Sequence, residues 1–156
     1  MKSLIVPGTM ESLQIVSNFV LRTARQARLT ARAAYGLRLA VDEIATNIIT
    51  HGYCQAGRPG PLRLRAEWDE RRLAIHLEDK GITYDPLQVK PPHDLHWPAE
   101  KRRLGGLGIF LALRNVDRFR YERLEDCNRS TFEVFMSRHR CRKKGEKRRT
   151  LRRLRR

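Results

Sequence analysis

The sequence lacks any hydrophobic run long enough to cross a membrane, and it is poor in cysteine. The longest apolar run towards its C-terminal half covers residues 109–113, whereas a membrane helix needs roughly 20 apolar residues. The apolar patch at residues 4–6 stops at Pro7-Gly8, which is too short for a secretory signal. The three cysteines are odd in number and far apart. We therefore expect free thiols and a cytoplasmic protein.

Metal-site and hydrolase patterns are also missing. No Cys/His cluster has the spacing of a zinc site, and no Ser-His-Asp arrangement is evident. His93 and His96 lie close together in a proline-rich stretch, but two histidines leave a zinc site short of ligands. The chemistry has to be sought in other residue types.

Acidic residues are scarce, and the imbalance is concentrated at one end. The 156 residues include 33 Lys or Arg against 17 Asp or Glu, a formal net charge of +16. Residues 138–156 hold twelve of the basic residues and one acidic residue. A segment of this composition cannot bury a core, so we expect a folded domain at 1–137 and a disordered basic tail at 138–156. The tail has no Phe, Tyr or Trp, so it would contact an acidic partner or nucleic acid electrostatically.

Hydrophobic spacing within the first 137 residues predicts a two-layer α/β fold of the α+β type. Helical periodicity is present from Met10 to about Ala27, from about Ala31 to His51, and after Gly108. Alternation with period two predicts strands, which we place at 4–6, 62–68, 73–78, 118–124 and 131–136. The short turn at Asp69-Glu70 predicts an antiparallel pair, and 81–104 reads as a long loop. We expect a mostly antiparallel sheet covered on one face by three helices.

The second helix carries the most informative polar residues. Glu43 and Asn47 are four residues apart, just over one turn, and therefore project from one face. Thr46 and Thr50 fall on the same stripe. The apolar stripe of this helix lies elsewhere on its circumference and comprises Leu37, Val41, Ile44 and Ile48. Short Glu, Thr and Asn side chains suit a site that holds a metal-bound ligand, although a solvated polar face would give the same pattern.

Asp79-Lys80-Gly81 follows directly after a predicted strand. A carboxylate at a strand end that faces a cleft can accept a hydrogen bond from an exocyclic amine. Gly81 lets the backbone turn tightly without a side chain in the way. An ordinary Asp-x-Gly turn is the alternative interpretation.

Gly105-Gly106-Leu107-Gly108 opens the third predicted helix. Backbone amides exposed at a helix start, without obstructing Cβ atoms, form an anion site; a flexible hinge is the alternative. The run is neither a Walker loop, because no Gly-Lys-Ser/Thr follows, nor a Rossmann fingerprint.

The order and separation of these three elements resemble the GHKL ATPase superfamily. The segments LRLAVDEIATNIITHGY, LEDKGITYDP and RRLGGLGIFLAL are similar to the three nucleotide-binding boxes of bacterial anti-sigma-factor serine/threonine kinases. The resemblance extends over roughly residues 4–136. It implies a Bergerat-type ATP-binding sandwich, with ATP and Mg²⁺ held between the second helix, the Asp79 turn and the glycine run under a lid.

The resemblance also implies roles for individual residues. Glu43 would be the general base that takes the proton of the substrate hydroxyl, and Asn47 would coordinate Mg²⁺. Asp79 would read the adenine amine, and Gly81 would allow close approach. The glycine run, Gly105, Gly106, Leu107 and Gly108, would border the phosphates. Positioning and charge neutralisation of this kind account for most of the catalysis of phosphoryl transfer.

The functional hypothesis that follows is a kinase acting on a protein partner. The resemblance implies that it phosphorylates a serine of an anti-sigma-factor antagonist, binds and inhibits a sigma factor, and forms a homodimer. One alternative is a nucleotide-dependent binding module without kinase activity, in which Glu43 would be idle. A second is a nucleic-acid-associated protein that acts through its basic tail.

Overall fold

The computed structural model describes residues 1–83, 85–86 and 107–136. The elements over these residues are helices α1 to α3, a π-helical turn and strands β1 to β5. In chain order they are β1 (Lys2–Pro7), a 3₁₀ turn (Met10–Ser12), α1 (Leu13–Gln26), α2 (Ala31–Asn47), the π-helix (Ile48–Cys54), β2 (Pro61–Trp68), β3 (Arg72–Asp79), α3 (Leu107–Leu113), β4 (Arg118–Arg123) and β5 (Asn128–Phe135). No helix over the described residues is long and apolar enough to cross a membrane.

The five strands form one antiparallel sheet in the order β1-β2-β3-β5-β4. Strand β3 is central, and its last pair with β5 joins Asp79 to Asn128. The predicted sheet and the antiparallel pairing of β2 with β3 are confirmed. The centre of the sheet therefore places the Asp79 strand end beside the start of β5.

Three helices cover one face of the sheet, as the apolar alternation predicts. The buried side chains of the sheet's inner face include Leu64, Ile75 and Phe132, all of which are fully buried. They pack against α1 and α2, and α2 also contacts α3. Leu37, Val41 and Ile44 of the predicted apolar stripe are buried, whereas Ile48 is half-buried. The α/β sandwich with helices on one face is thus the observed fold.

Two predicted boundaries are wrong in a way that matters for the site. We predicted a regular helix to His51, but the α-helix ends at Asn47 and continues as a wider π-helix to Cys54. We predicted a strand from Thr131, but β5 already begins at Asn128. Hydrogen bonding to β3 extends β5 to the level of Asp79, because tertiary pairing overrides the weak strand propensity of its first residues.

Several predicted features lie outside the described residues. They are most of the long loop at 81–104, the histidines at 93 and 96, the glycines Gly105 and Gly106, and the basic segment 138–156. The domain boundary at residue 137 remains a prediction.

Candidate functional site

The end of α2 presents Asn47 to a cleft between the helix layer and the sheet. Its side-chain Nδ2 donates to the main-chain oxygen of Glu43 at 2.8 Å. Because the nitrogen is tied back to its own helix, the amide oxygen Oδ1 is the atom left to meet a ligand. Thr46, by contrast, donates its hydroxyl to the carbonyl of Asp42 at 2.8 Å. Asn47 is therefore the polar group of this helix turn that is available to the cleft.

Asp79 lies on the opposite wall and is almost fully buried, with 5% of its surface exposed. Its Oδ1 accepts hydrogen bonds from the main-chain nitrogen of Gly81 at 2.8 Å and from Nδ2 of Asn128 at 2.9 Å. Burial raises the pKa of Asp79, and these two hydrogen bonds oppose the rise. Within the described part of the chain, Oδ1 accepts both of these hydrogen bonds and Oδ2 accepts none.

The cleft between these walls is open to solvent, and the empty space between them, solvent included, is about 340 Å³. Asn47 and Asp79 both line it, and Ile44, Ile48 and Ile82 provide apolar surface. An apolar slot with a few convergent polar groups is the usual character of a small-molecule site.

Gly81 permits the helix layer to approach the Asp79 turn closely. A Cβ at this position would lie 3.0 Å from both Cα and the carbonyl oxygen of Gly52. A backbone neighbour cannot move aside as a flexible side chain can. Gly52 belongs to the π-helix, so the wider winding places a glycine where the turn needs room. Such departures from α-helical winding are frequent at functional sites.

The predicted glycine run ends at Gly108, and Gly108 lies against Glu43. The helix α3 begins at Leu107, two residues earlier than predicted, so Gly108 lies within its first turn. A Cβ at Gly108 would lie 2.5 Å from Oε2 of Glu43. The structure therefore brings Glu43 and Gly108 together directly, and within the described part of the chain the Glu43 carboxylate makes no hydrogen bond or ion pair, although its main-chain oxygen accepts from Asn47. Gly105 and Gly106 lie outside the described residues.

The sequence analysis missed Asn128 and Tyr53. Asn128 is 2% exposed and Tyr53 is 2% exposed, and both hold the Asp79 turn by hydrogen bonds. Burial raises the pKa of Tyr53 to about 12, so its hydroxyl is protonated and can donate. A buried tyrosine usually needs a partner for its hydroxyl, but the sequence alone does not show that Tyr53 is buried.

The arrangement defines a class of protein. The family model described as a histidine kinase-like ATPase domain matches residues 6–133, and the chain belongs to that family. The predicted membership of the GHKL group is confirmed. The family binds ATP. The amide oxygen of Asn47 is of the type that Mg²⁺ accepts as a ligand, and the carboxylate of Asp79 is an acceptor that an amine could use.

The relatives found are named serine kinases. The chain is 30% identical over 108 residues to the serine/threonine-protein kinase BtrW of Bordetella bronchiseptica. The matched region covers 69% of this chain and 75% of that protein. It is 31% identical over 91 residues to the serine-protein kinase RsbW of Listeria monocytogenes, covering 56% of this chain and 57% of that protein. It is 28% identical over 109 residues to RsbW of Staphylococcus aureus, covering 68% and 69%. The predicted resemblance to the serine kinase group is thereby confirmed.

A solved histidine kinase domain, from a blue-light activated kinase of Erythrobacter litoralis EL346, aligns over 80% of this chain and 59% of that chain. The identity is 16% and the TM-score 0.47.

Proposed function

We propose that this protein is an ATP-dependent serine/threonine kinase that phosphorylates an anti-sigma-factor antagonist and binds and inhibits a sigma factor. The observation that carries the proposal is the pair of walls around one cleft, with Asn47 on the helix side and Asp79 on the sheet side. The similarity to proteins named serine kinases supports the choice of reaction. Both partners would be cytoplasmic proteins, and we include a homodimer in the proposal.

In this proposal the described residues divide the work between binding and proton transfer. Asp79 accepts the amine of adenine, and Gly81 lets the turn approach the base. Asn47 offers its amide oxygen to Mg²⁺. When bound, Mg-ATP supplies the phosphoryl group and the positive charge that offsets its negative oxygens. Glu43, one helical turn before Asn47, accepts the proton of the substrate serine.

The phosphates would meet the start of α3. We assign Gly105, Gly106, Leu107 and Gly108 to this border, with Gly108 the member that touches Glu43. The proximity of base and phosphate border is what transfer to a hydroxyl requires, since the reacting groups must be held in close alignment.

The direct test uses the protein purified from its source together with whatever copurifies. Labelled ATP and Mg²⁺ are added, and phosphoserine is sought on the copurified proteins by mass spectrometry. The proposal predicts label on one small partner and recovery of a sigma factor in the same preparation. A protein that binds ATP but labels no partner would favour the non-kinase binding module.

We expect Gly108→Ala to slow phosphoryl transfer by about tenfold without weakening the fold. The new methyl group collides with the Glu43 carboxylate, which is the mobile end of a side chain and can move away. Displacing a reacting group by about 1 Å costs rate, while Ala is the better helix former by about 0.5–1 kcal/mol. Transfer rate and thermal unfolding should be measured on the same preparation.

A double-mutant cycle shows whether Gly108 acts through Glu43. If it does, Gly108→Ala should have no further effect in a Glu43→Ala background. A further loss of rate in that background would instead place Gly108 at the phosphates alone.

We expect deletion of residues 138–156 to leave ATP affinity and domain stability nearly unchanged. The segment contributes twelve basic residues and one acidic residue, so its effect should appear in binding to an acidic partner. This attraction is screened over about 8 Å at physiological salt and should weaken steeply as salt rises. Full-length and truncated protein should be compared for binding to sigma factor and to random duplex DNA across a salt series.

The two ligands separate the remaining interpretations of the tail. A tail-dependent gain for DNA but not for sigma factor would favour nucleic-acid association. If the full-length and the truncated protein bind sigma factor equally tightly at low salt, and likewise bind DNA equally tightly, the tail has no binding role.

A further inference from the structure

The turn that follows β3 is held by side chains from both layers of the fold. Residues 79–82 connect the central strand to the cleft, and their main-chain groups would be costly to leave unpaired when buried. The main-chain nitrogen of Gly81 bonds the side chain of Asp79 itself. The other anchors come from Tyr53 and Asn128, which are far away in sequence.

Tyr53 holds the turn from the helix side. Its hydroxyl accepts from the main-chain nitrogen of Lys80 at 3.0 Å and donates to the carbonyl of Pro61 at 2.8 Å. The ring sits in a slot made by two glycines: a Cβ would lie 2.4 Å from the ring at Gly8 and 2.8 Å at Gly60. The two glycines fix the position of the Tyr53 ring, and the hydroxyl of that ring holds the main-chain nitrogen of Lys80.

Asn128 holds the turn from the sheet side. Its Nδ2 donates to Oδ1 of Asp79 at 2.9 Å, and it lies 3.2 Å from the carbonyl oxygen of Gly81 and 3.4 Å from that of Ile82. Since all of these partners are acceptors, the amide must present its nitrogen to them.

The other end of the Asn128 amide is also engaged. Its Oδ1 accepts from the hydroxyl of Tyr121 at 2.7 Å and from Nη1 of Arg123 at 3.0 Å. A flipped amide would place its nitrogen against these two donors. The orientation of Asn128 is thus fixed from both sides, and Asn128 fixes which oxygen of Asp79 faces the cleft.

We propose that Tyr53 and Asn128 are positioning residues that hold Asp79 and its turn in the geometry that binds adenine, and so set both nucleotide affinity and the preference for ATP over GTP. The inference rests on the proposed function, because it takes Asp79 as the group that meets the base. Neither residue touches the reacting atoms. Their loss should therefore change KM for ATP and leave kcat nearly unchanged.

We refer to Tyr53 and Asn128, which hold the Asp79 turn from the helix side and the sheet side, as the clamp. Two near-isosteric variants test it. Tyr53→Phe keeps the ring in its glycine slot but removes the partner of Lys80, and we expect ATP affinity to fall about threefold to tenfold. Asn128→Asp keeps the shape but places a second carboxylate oxygen against Oδ1 of Asp79. We expect at least a tenfold loss at neutral pH, because two carboxylates at this distance repel each other.

The pH dependence of Asn128→Asp is a signature that a merely structural role would not give. As pH falls, a proton shared by the two carboxyl groups restores a donor between them, so the affinity of the variant should recover. The wild type should change in the opposite direction, since protonation of Asp79 removes an acceptor. Among the described residues, the guanidinium of Arg123 and the hydroxyls of Tyr121 and Tyr53 face this pair.

The measurements are ATP and GTP affinities by calorimetry across pH, KM and kcat for transfer, and thermal unfolding. Tyr35→Phe and Asn18→Asp repeat the same chemical changes at exposed helix positions and should behave as wild type. Higher KM, unchanged kcat and a narrower gap between ATP and GTP in both test variants would support the clamp.

Folded test variants that bind ATP as tightly as the wild type would overturn the clamp and leave the proposed function standing. The same holds if kcat falls while KM stays constant, or if both variants fail to fold, since the two residues would then act otherwise than by positioning Asp79. A wild-type protein that does not bind ATP would remove both proposals.

Discussion

Replacing Glu43 with alanine should reduce phosphoryl transfer about 10²–10⁴-fold while ATP still binds, because this is the usual range for loss of a general base. Glu43 projects from the same helical face as Asn47, and the two residues are joined through the Glu43 carbonyl rather than its carboxylate. Removing the carboxylate thus leaves the hydrogen bond that orients Asn47. Binding and chemistry should separate in this variant.

Glu43→Gln is the matched control for shape. It preserves the contact with Gly108 but cannot accept a proton at neutral pH, so it should be as slow as Glu43→Ala. ATP affinity is measured by calorimetry and transfer by labelled phosphate on the partner serine. Wild-type transfer by the glutamine variant would show that Glu43 is not the base.

Asn47→Ala completes the comparison. It removes the oxygen that we assign to Mg²⁺, so ATP binding should weaken when Mg²⁺ is present and change little when it is chelated. A loss of affinity that is equal with and without Mg²⁺ would contradict this assignment. The three variants together separate proton transfer from metal binding.

The sheet could be predicted from the sequence because each strand buries one face. Leu62, Leu64 and Ala66 alternate with exposed residues in β2, which leaves little choice of register. The start of β5 could not be predicted in this way. Asn128 and Arg129 have no strand-forming character of their own, and they extend the strand only because β3 lies beside them.

The residues of the candidate site also differ in whether local sequence or the tertiary fold brings them together. Glu43 and Asn47 could be found because four-residue spacing places them together within a single helix. Tyr53 and Asn128 could not, because their partners are main-chain groups of Lys80, Gly81 and Ile82 that only the tertiary fold brings near. A seven-residue π-helix is likewise too short for its periodicity to be told apart from that of an α-helix.

Asp79→Asn should weaken ATP binding by about 1–3 kcal/mol, the cost of a buried polar group left with the wrong partner. The hydrogen bonds at Oδ1 decide how the new amide lies. Both Gly81 and Asn128 donate to that position, so the asparagine must place its oxygen there and its nitrogen towards the cleft. The amide nitrogen would then face the adenine amine, donor against donor.

The same orientation predicts a change of preference rather than a simple loss. Hypoxanthine carries a carbonyl where adenine carries its amine, so inosine triphosphate would accept a hydrogen bond from the new amide. We expect the wild type to prefer ATP over both ITP and GTP, and Asp79→Asn to narrow or reverse the preference of ATP over ITP. These preferences are measured by calorimetric titration of the wild type and of Asp79→Asn with ATP, ITP and GTP.

The pH dependence supplies the control for this change. Burial raises the pKa of Asp79, so the wild type should lose ATP affinity on acidification at a higher pH than an ordinary aspartate would. The protonated carboxyl offers its remaining acceptor less readily to the base, whereas Asp79→Asn has no proton to gain. Titration of the nucleotide itself affects both proteins equally, so the difference between their pH profiles isolates Asp79. Equal ATP affinities and parallel profiles for the two proteins would show that this carboxylate does not read the base.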